Sequence, residues 1–71
     1  MSNMNQTIQE QAARFERLMD QCGVEWNAEN VLLCIAVAKE AMQHGEVSVE
    51  AYYAAKRILI ERLEAASELL N

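Results

Sequence analysis

The stretch Val31-Leu32-Leu33-Cys34-Ile35-Ala36-Val37-Ala38 runs through eight apolar residues without a polar interruption. A helix on a protein surface shows an apolar stripe and a polar face, whereas one that is apolar all round is enclosed on every side. At 1.5 Å per residue the run is only ~12 Å long, far short of the ~20 residues that cross a bilayer. It reads as a core helix that needs neighbours. Leu32, Leu33, Ile35 and Val37 are its candidate core or dimer-interface side chains.

Signals on either side place the ends of this helix. Asn27 suits an N-cap, with Ala28, Glu29 and Asn30 in the first turn and Glu29 at the positive end of the helix dipole. Trp26 and Val31 stand at the N′ and N4 positions of a hydrophobic staple, so the lone Trp reads as a structural anchor in the core. At the far end the helix reaches Gln43 or His44 and stops at Gly45. A histidine there complements the dipole and caps carbonyls, which accounts for His44 without chemistry.

A first helix is predicted over Gln6 to Cys22, after a frayed segment at residues 1–5. Ile8, Ala12, Phe15, Met19 and Cys22 recur at spacings of four, three, four and three, which puts them on one face, with Leu18 widening the stripe. Phe15 and Met19 are therefore candidate core residues. Glu10 and Arg14 are placed to pair at i,i+4, and Gly23 ends the helix.

The third helix is predicted over Val49 to Leu70, with Ser48 as N-cap and Val47 and Tyr52 repeating the staple. Tyr52, Ala55, Leu59, Leu63, Ala66 and Leu70 recur at three- and four-residue intervals, broadened by Ile58, Ile60 and Leu69. From this stripe Tyr52, Leu59, Leu63 and Leu70 join the candidate core or interface set. Arg57 and Glu61 can pair at i,i+4. Tyr52 and Tyr53 point to different sides of the helix, so Tyr53 is a candidate partner contact, because a tyrosine joins apolar area to a polar tip; two half-buried core tyrosines are the equal alternative. The resulting expectation is one all-α domain over residues 1–71. It has three helices, with helices two and three in a long antiparallel hairpin completed by homodimerisation.

Composition supports a second chain. The protein has 71 residues, no Pro and only two Gly, and 52% of it is apolar. A small chain leaves much of its surface exposed, so part of that apolar content is expected to meet another copy. A net charge of −5, from six basic and eleven acidic residues, argues against direct nucleic-acid binding, which calls for a basic stripe. The acids form no dense block of the kind that mimics DNA. The N-terminal Met-Ser-Asn-Met-Asn-Gln lacks a basic region followed by an apolar one, so a cytoplasmic location with no membrane span is expected. Cys22 and Cys34 then read as small buried apolar residues in a reducing compartment, with a disulfide as the alternative.

The residues offer little for catalysis. A metal site would need His44, Cys22 and Cys34, whose separations match no zinc spacing, and Cys34 lies too deep in the apolar run to serve as a nucleophile. Neither Gly23 nor Gly45 belongs to a phosphate loop. No catalytic, cofactor or metal residue is assigned, and no enzymatic activity is expected.

Four segments carry a resemblance to a known family. They are Glu29 followed by Val31-Leu32-Leu33, then Met42-Gln43-His44-Gly45-Glu46, then Ile58-Leu59-Ile60-Glu61-Arg62-Leu63-Glu64, then Ser67-Glu68-Leu69-Leu70. Over residues 29–70 the chain resembles the small enterobacterial biofilm-development family, the AriR-type connectors of two-component systems. The Tyr52-Tyr53 pair and the alanine-rich start of the third helix depart from it. The resemblance implies a non-enzymatic helical homodimer that binds regulatory proteins and influences biofilm and stress responses. The expected function is thus a small acidic adaptor that modulates a transcription regulator or signalling protein. The alternative is a phage or mobile-element inhibitor that blocks a host protein.

Overall fold

A computed structural model describes the backbone of residues 4–70 and the side chains of residues 7–68. The described residues form three helices and no strand: α1 (Met4–Cys22), α2 (Ala28–Gln43) and α3 (Val49–Leu70). α1 thus begins two residues before the expected Gln6, while α2 and α3 have the expected bounds. Leu69 and Leu70, assigned to the third stripe, lie outside the described side chains.

Local chemistry sets each boundary. Asn27 has the extended backbone of an N-cap, and its Oδ1 accepts from the Asn30 N–H at 2.9 Å. Ser48 caps α3 in the same way, its Oγ accepting from the Ala51 N–H at 3.1 Å. α2 ends in a complete Schellman motif. The Glu46 N–H donates to the Ala41 carbonyl at 2.8 Å and the Gly45 N–H to the Met42 carbonyl at 3.0 Å, with Gly45 at φ +77°. His44 holds the C-cap position through its backbone, its N–H donating to the Glu40 carbonyl.

The helices do not pack equally. α3 lies against both α1 and α2, whereas α1 and α2 touch at few points. The centre of the molecule is therefore α3 rather than the apolar run of α2. Its inner face is small where packing is tightest: Ala51 and Ala55 are fully enclosed, as are Ala12 of α1 and Ala38 of α2. Alanine at such contacts lets helix axes come to the near end of the usual ~8–10 Å range. Leu59 and Val31 are the largest fully buried side chains, and Phe15, Met19, Cys34, Ile35, Val47 and Tyr52 complete the buried core. Trp26, Ile58 and Leu63 pack partly buried against it.

This arrangement corrects the reading of α2 as enclosed on every side. Val31, Cys34, Ile35 and Ala38 are buried, but Leu32 (65% exposed), Leu33 (61%) and Val37 (48%) are open. The reason is that α2 has one close neighbour, α3, and a single neighbour covers only one side of a helix. Cys22, expected inside, is exposed at the end of α1, and Ile60 lies too far round α3 to reach the core. Cys34 is buried as expected, and its thiol donates to the Phe15 carbonyl at 3.5 Å.

Candidate interaction surface

Because α1 and α2 both lean on α3 and scarcely meet each other, a trough opens between them. It has two parts that share Leu18 and Val37. One, of about 160 Å³, is almost wholly apolar and is lined by buried Met19 and Cys34 and by exposed Leu33, Val24 and Cys22. The other, of about 540 Å³, is lined by buried Phe15 and by Val37 and Ala41, together with charged side chains. Arg14 and Arg17 stand on the α1 side; Glu40 and Glu46 stand on the α2 side and the turn after it.

Helical geometry explains the walls. On α1, Phe15 and Met19 point to the core, Leu18 lies beside them, and Arg14 sits one turn below Leu18. On α2, Leu33 and Val37 are four residues apart on the trough side. Leu32 is one residue from Leu33, hence about 100° round the helix, and is not among the trough's lining residues.

A second cluster joins the end of α1 to α3. The Arg62 guanidinium binds Asp20 through both of its terminal nitrogens, at 2.9 and 3.0 Å, and reaches Glu16 at 3.2 Å. Its Cζ lies 4.3 Å from the Trp26 ring centroid, and the Trp26 indole N–H donates to Asp20 Oδ1 at 3.2 Å. Arg62 and the indole N–H together hold the Asp20 carboxyl below its ordinary value, the Arg62 hydrogen bonds being the larger cause. Every polar group in the cluster that meets another finds a partner of opposite sense, so it acts as a clasp. Burial, with a smaller contribution from the neighbouring Cys22, pushes the Cys34 thiol up, away from the thiolate.

The clasp was not legible in the sequence, since Arg62 lies 42 residues from Asp20 and 46 from Glu16. The local pairs that spacing favours do not form. Among the described residues the ion pairs are those of Arg62, and neither Glu10–Arg14 nor Arg57–Glu61 closes. Exposed i,i+4 pairs are worth only ~0.3–0.5 kcal/mol, too little to hold two long side chains in one geometry. The trough walls had a visible signal in Arg14 and Arg17 flanking Leu18, though nothing in the sequence set them opposite Glu40 and Glu46.

The candidate core or interface residues therefore divide. Phe15, Met19, Ile35, Tyr52 and Leu59 are core, Trp26 and Leu63 are at its edge, and Leu33 and Val37 line the trough. Leu32 is exposed outside the trough, and Leu70 lies outside the described side chains. Tyr53 is 59% exposed, with its ring 5.1 Å from that of buried Tyr52. Val49, Tyr53 and Ile60 fall within about 40° of one another around α3 and form an outward apolar stripe, interrupted by Lys56.

Among the described residues, no group of three or more His, Cys, Asp or Glu side chains is placed to hold a metal ion, and no helix is long and apolar enough to cross a membrane. Comparison with family models, curated proteins and solved structures yielded no match to this chain.

Proposed function

We propose that the protein is a small non-enzymatic adaptor that binds and modulates a transcription regulator or signalling protein, working as a homodimer. The observation that carries this reading is the number of large apolar side chains left on two separate faces of so small a chain. The α1–α2 trough exposes Leu18, Val24, Leu33 and Val37, and the outer side of α3 exposes Val49, Tyr53 and Ile60. Contiguous exposed apolar area on a monomer marks interaction surface, and two such faces suit a protein that joins two bodies. The α3 stripe has the composition of a partner contact, with an aromatic centre and the cations Lys56 and Arg57 beside it. The resemblance over residues 29–70 directs the choice of partner toward a regulator.

The test is affinity purification of the tagged chain from its native cells beside a Tyr53→Asp variant. The captured regulator's DNA-binding or signalling output is then measured with and without the pure chain. A regulator retained by the wild type, lost with Tyr53→Asp and altered in output is the expected result. Equal recovery by both proteins, or an unaltered output, would sink the proposal.

A further inference from the structure

We infer that the α1–α2 trough is the seat of a second copy of this chain, related by a two-fold axis that runs along the trough. The inference rests on the homodimeric reading above and adds the face and its symmetry.

Charge selects this occupant. One wall of the trough is basic, with Arg14 and Arg17, and the opposite wall is acidic, with Glu40 and Glu46. None of the four has an ion-pair partner among the described residues. Rotating a copy by half a turn about an axis along the trough lays its α1 over α2 of the first chain and its α2 over α1. Each basic wall then meets an acidic wall, and the contact is made twice, as an isologous interface requires. An axis across the trough would instead set Arg14 and Arg17 against their own copies. The exposed apolar side chains between them, Leu33 and Val37, would supply on association the desolvated centre that such a charged rim surrounds.

The exposed area is sufficient for an interface. The chain exposes 5163 Å². A compact monomer of 8.0 kDa would expose about 4,450 Å², so the excess is about 700 Å². That is close to the ~800 Å² that each partner buries in an interface of standard size.

Sedimentation equilibrium of the full 71-residue chain tests the inference with three proteins. The first is Val37→Asp, whose side chain is already half exposed, so its helicity should match the wild type while its self-association weakens roughly thirtyfold or more. The others reverse one wall each: Arg14→Glu with Arg17→Glu, and Glu40→Lys with Glu46→Lys. Each should self-associate about tenfold or more weakly than the wild type, and an equimolar mixture of the two should regain a dimer. A wild-type chain that stays monomeric at roughly millimolar concentration overturns the second copy as occupant. A wild-type dimer indifferent to all these changes, or a mixture that stays monomeric, overturns the face and the symmetry. A monomeric wild type would also remove the homodimer from the proposed function, whereas a dimer indifferent to these changes would not; the binding of a regulator is decided separately, by Tyr53 and the captured protein.

Discussion

Leu59 shows how little the chain can lose at one position. It is fully enclosed on the inner face of α3, between the two helices that α3 holds. Stabilities of ~0.05–0.15 kcal/mol per residue put a chain of this length at about 4–11 kcal/mol. Truncating a buried leucine leaves a cavity and costs ~2–5 kcal/mol, so Leu59→Ala should remove about a fifth of the total or more. Leu32→Ala, at an exposed position outside the trough, should stay within ~0.5 kcal/mol. Urea unfolding of the two variants checks the contrast, and equal losses would refute the assignment of Leu59 to the centre. Asp20 offers a test by pH. Its carboxyl is held below the ordinary 3.8 by hydrogen bonds from Arg62 and then Trp26, so the folded state binds a proton less readily than the unfolded one. The stabilisation is complete above that ordinary value and fades as pH falls through the lowered one. Asp20→Asn should therefore lose less thermal stability than the wild type between neutral pH and about pH 3. An identical loss in both would show that the clasp does not hold in solution.

Among elements, the turn between α2 and α3 is closed by its own backbone hydrogen bonds. Its Schellman motif needs a left-handed residue, and Gly45 supplies φ +77°. A Cβ at that position would meet nothing within 4 Å, so Gly45→Ala suffers from backbone strain alone, ~1 kcal/mol. Gly45→Asn should cost less, since Asn enters the left-handed region more readily. Thermal melts that rank Ala below Asn below Gly are expected, and an Ala variant equal to the wild type would mean that the turn relaxes to another form. The entry to α3 is tied down separately: Ser48 caps the helix, and its own N–H donates to the Gln11 side chain of α1 at 3.3 Å. The short loops fix where α3 starts, and its small inner face then sets how closely the other helices lie.

On the scale of the whole molecule, the three helices form an open body of 43 × 25 × 18 Å rather than a closed bundle. Its radius of gyration is 12.4 Å, against about 11 Å for a compact domain of this length. If a second copy fills the trough, folding and association are linked, and the melting temperature must depend on protein concentration. Each tenfold rise should lift the midpoint by about 3–6 °C, given the ~4–8 °C per kcal/mol typical of domains this small. A midpoint unchanged over two decades of concentration would show that the monomer carries all of the stability.

Sequence alone determined what is set within one or two helical turns. Asn27, Ser48 and Gly45 mark their boundaries through hydrogen bonds and dihedral angles that involve only near neighbours, and helices α2 and α3 have the extents those residues imply. The periodicity of Phe15, Met19, Tyr52 and Leu59 likewise predicted which side of each helix turns inward, because a 3.6-residue repeat leaves one face to bury. Which faces meet was decided only by the tertiary structure. The run Val31–Ala38 is apolar on all sides, so its sequence cannot say which side a neighbour covers. The packing of α1 and α2 on α3 covers Val31, Cys34, Ile35 and Ala38 and leaves Leu33 and Val37 open. The same packing joins Arg62 to Asp20 across 42 residues and sets Arg14 and Arg17 opposite Glu40 and Glu46. Contacts between side chains so far apart in the chain exist only once the helices have docked, and no local pattern records them.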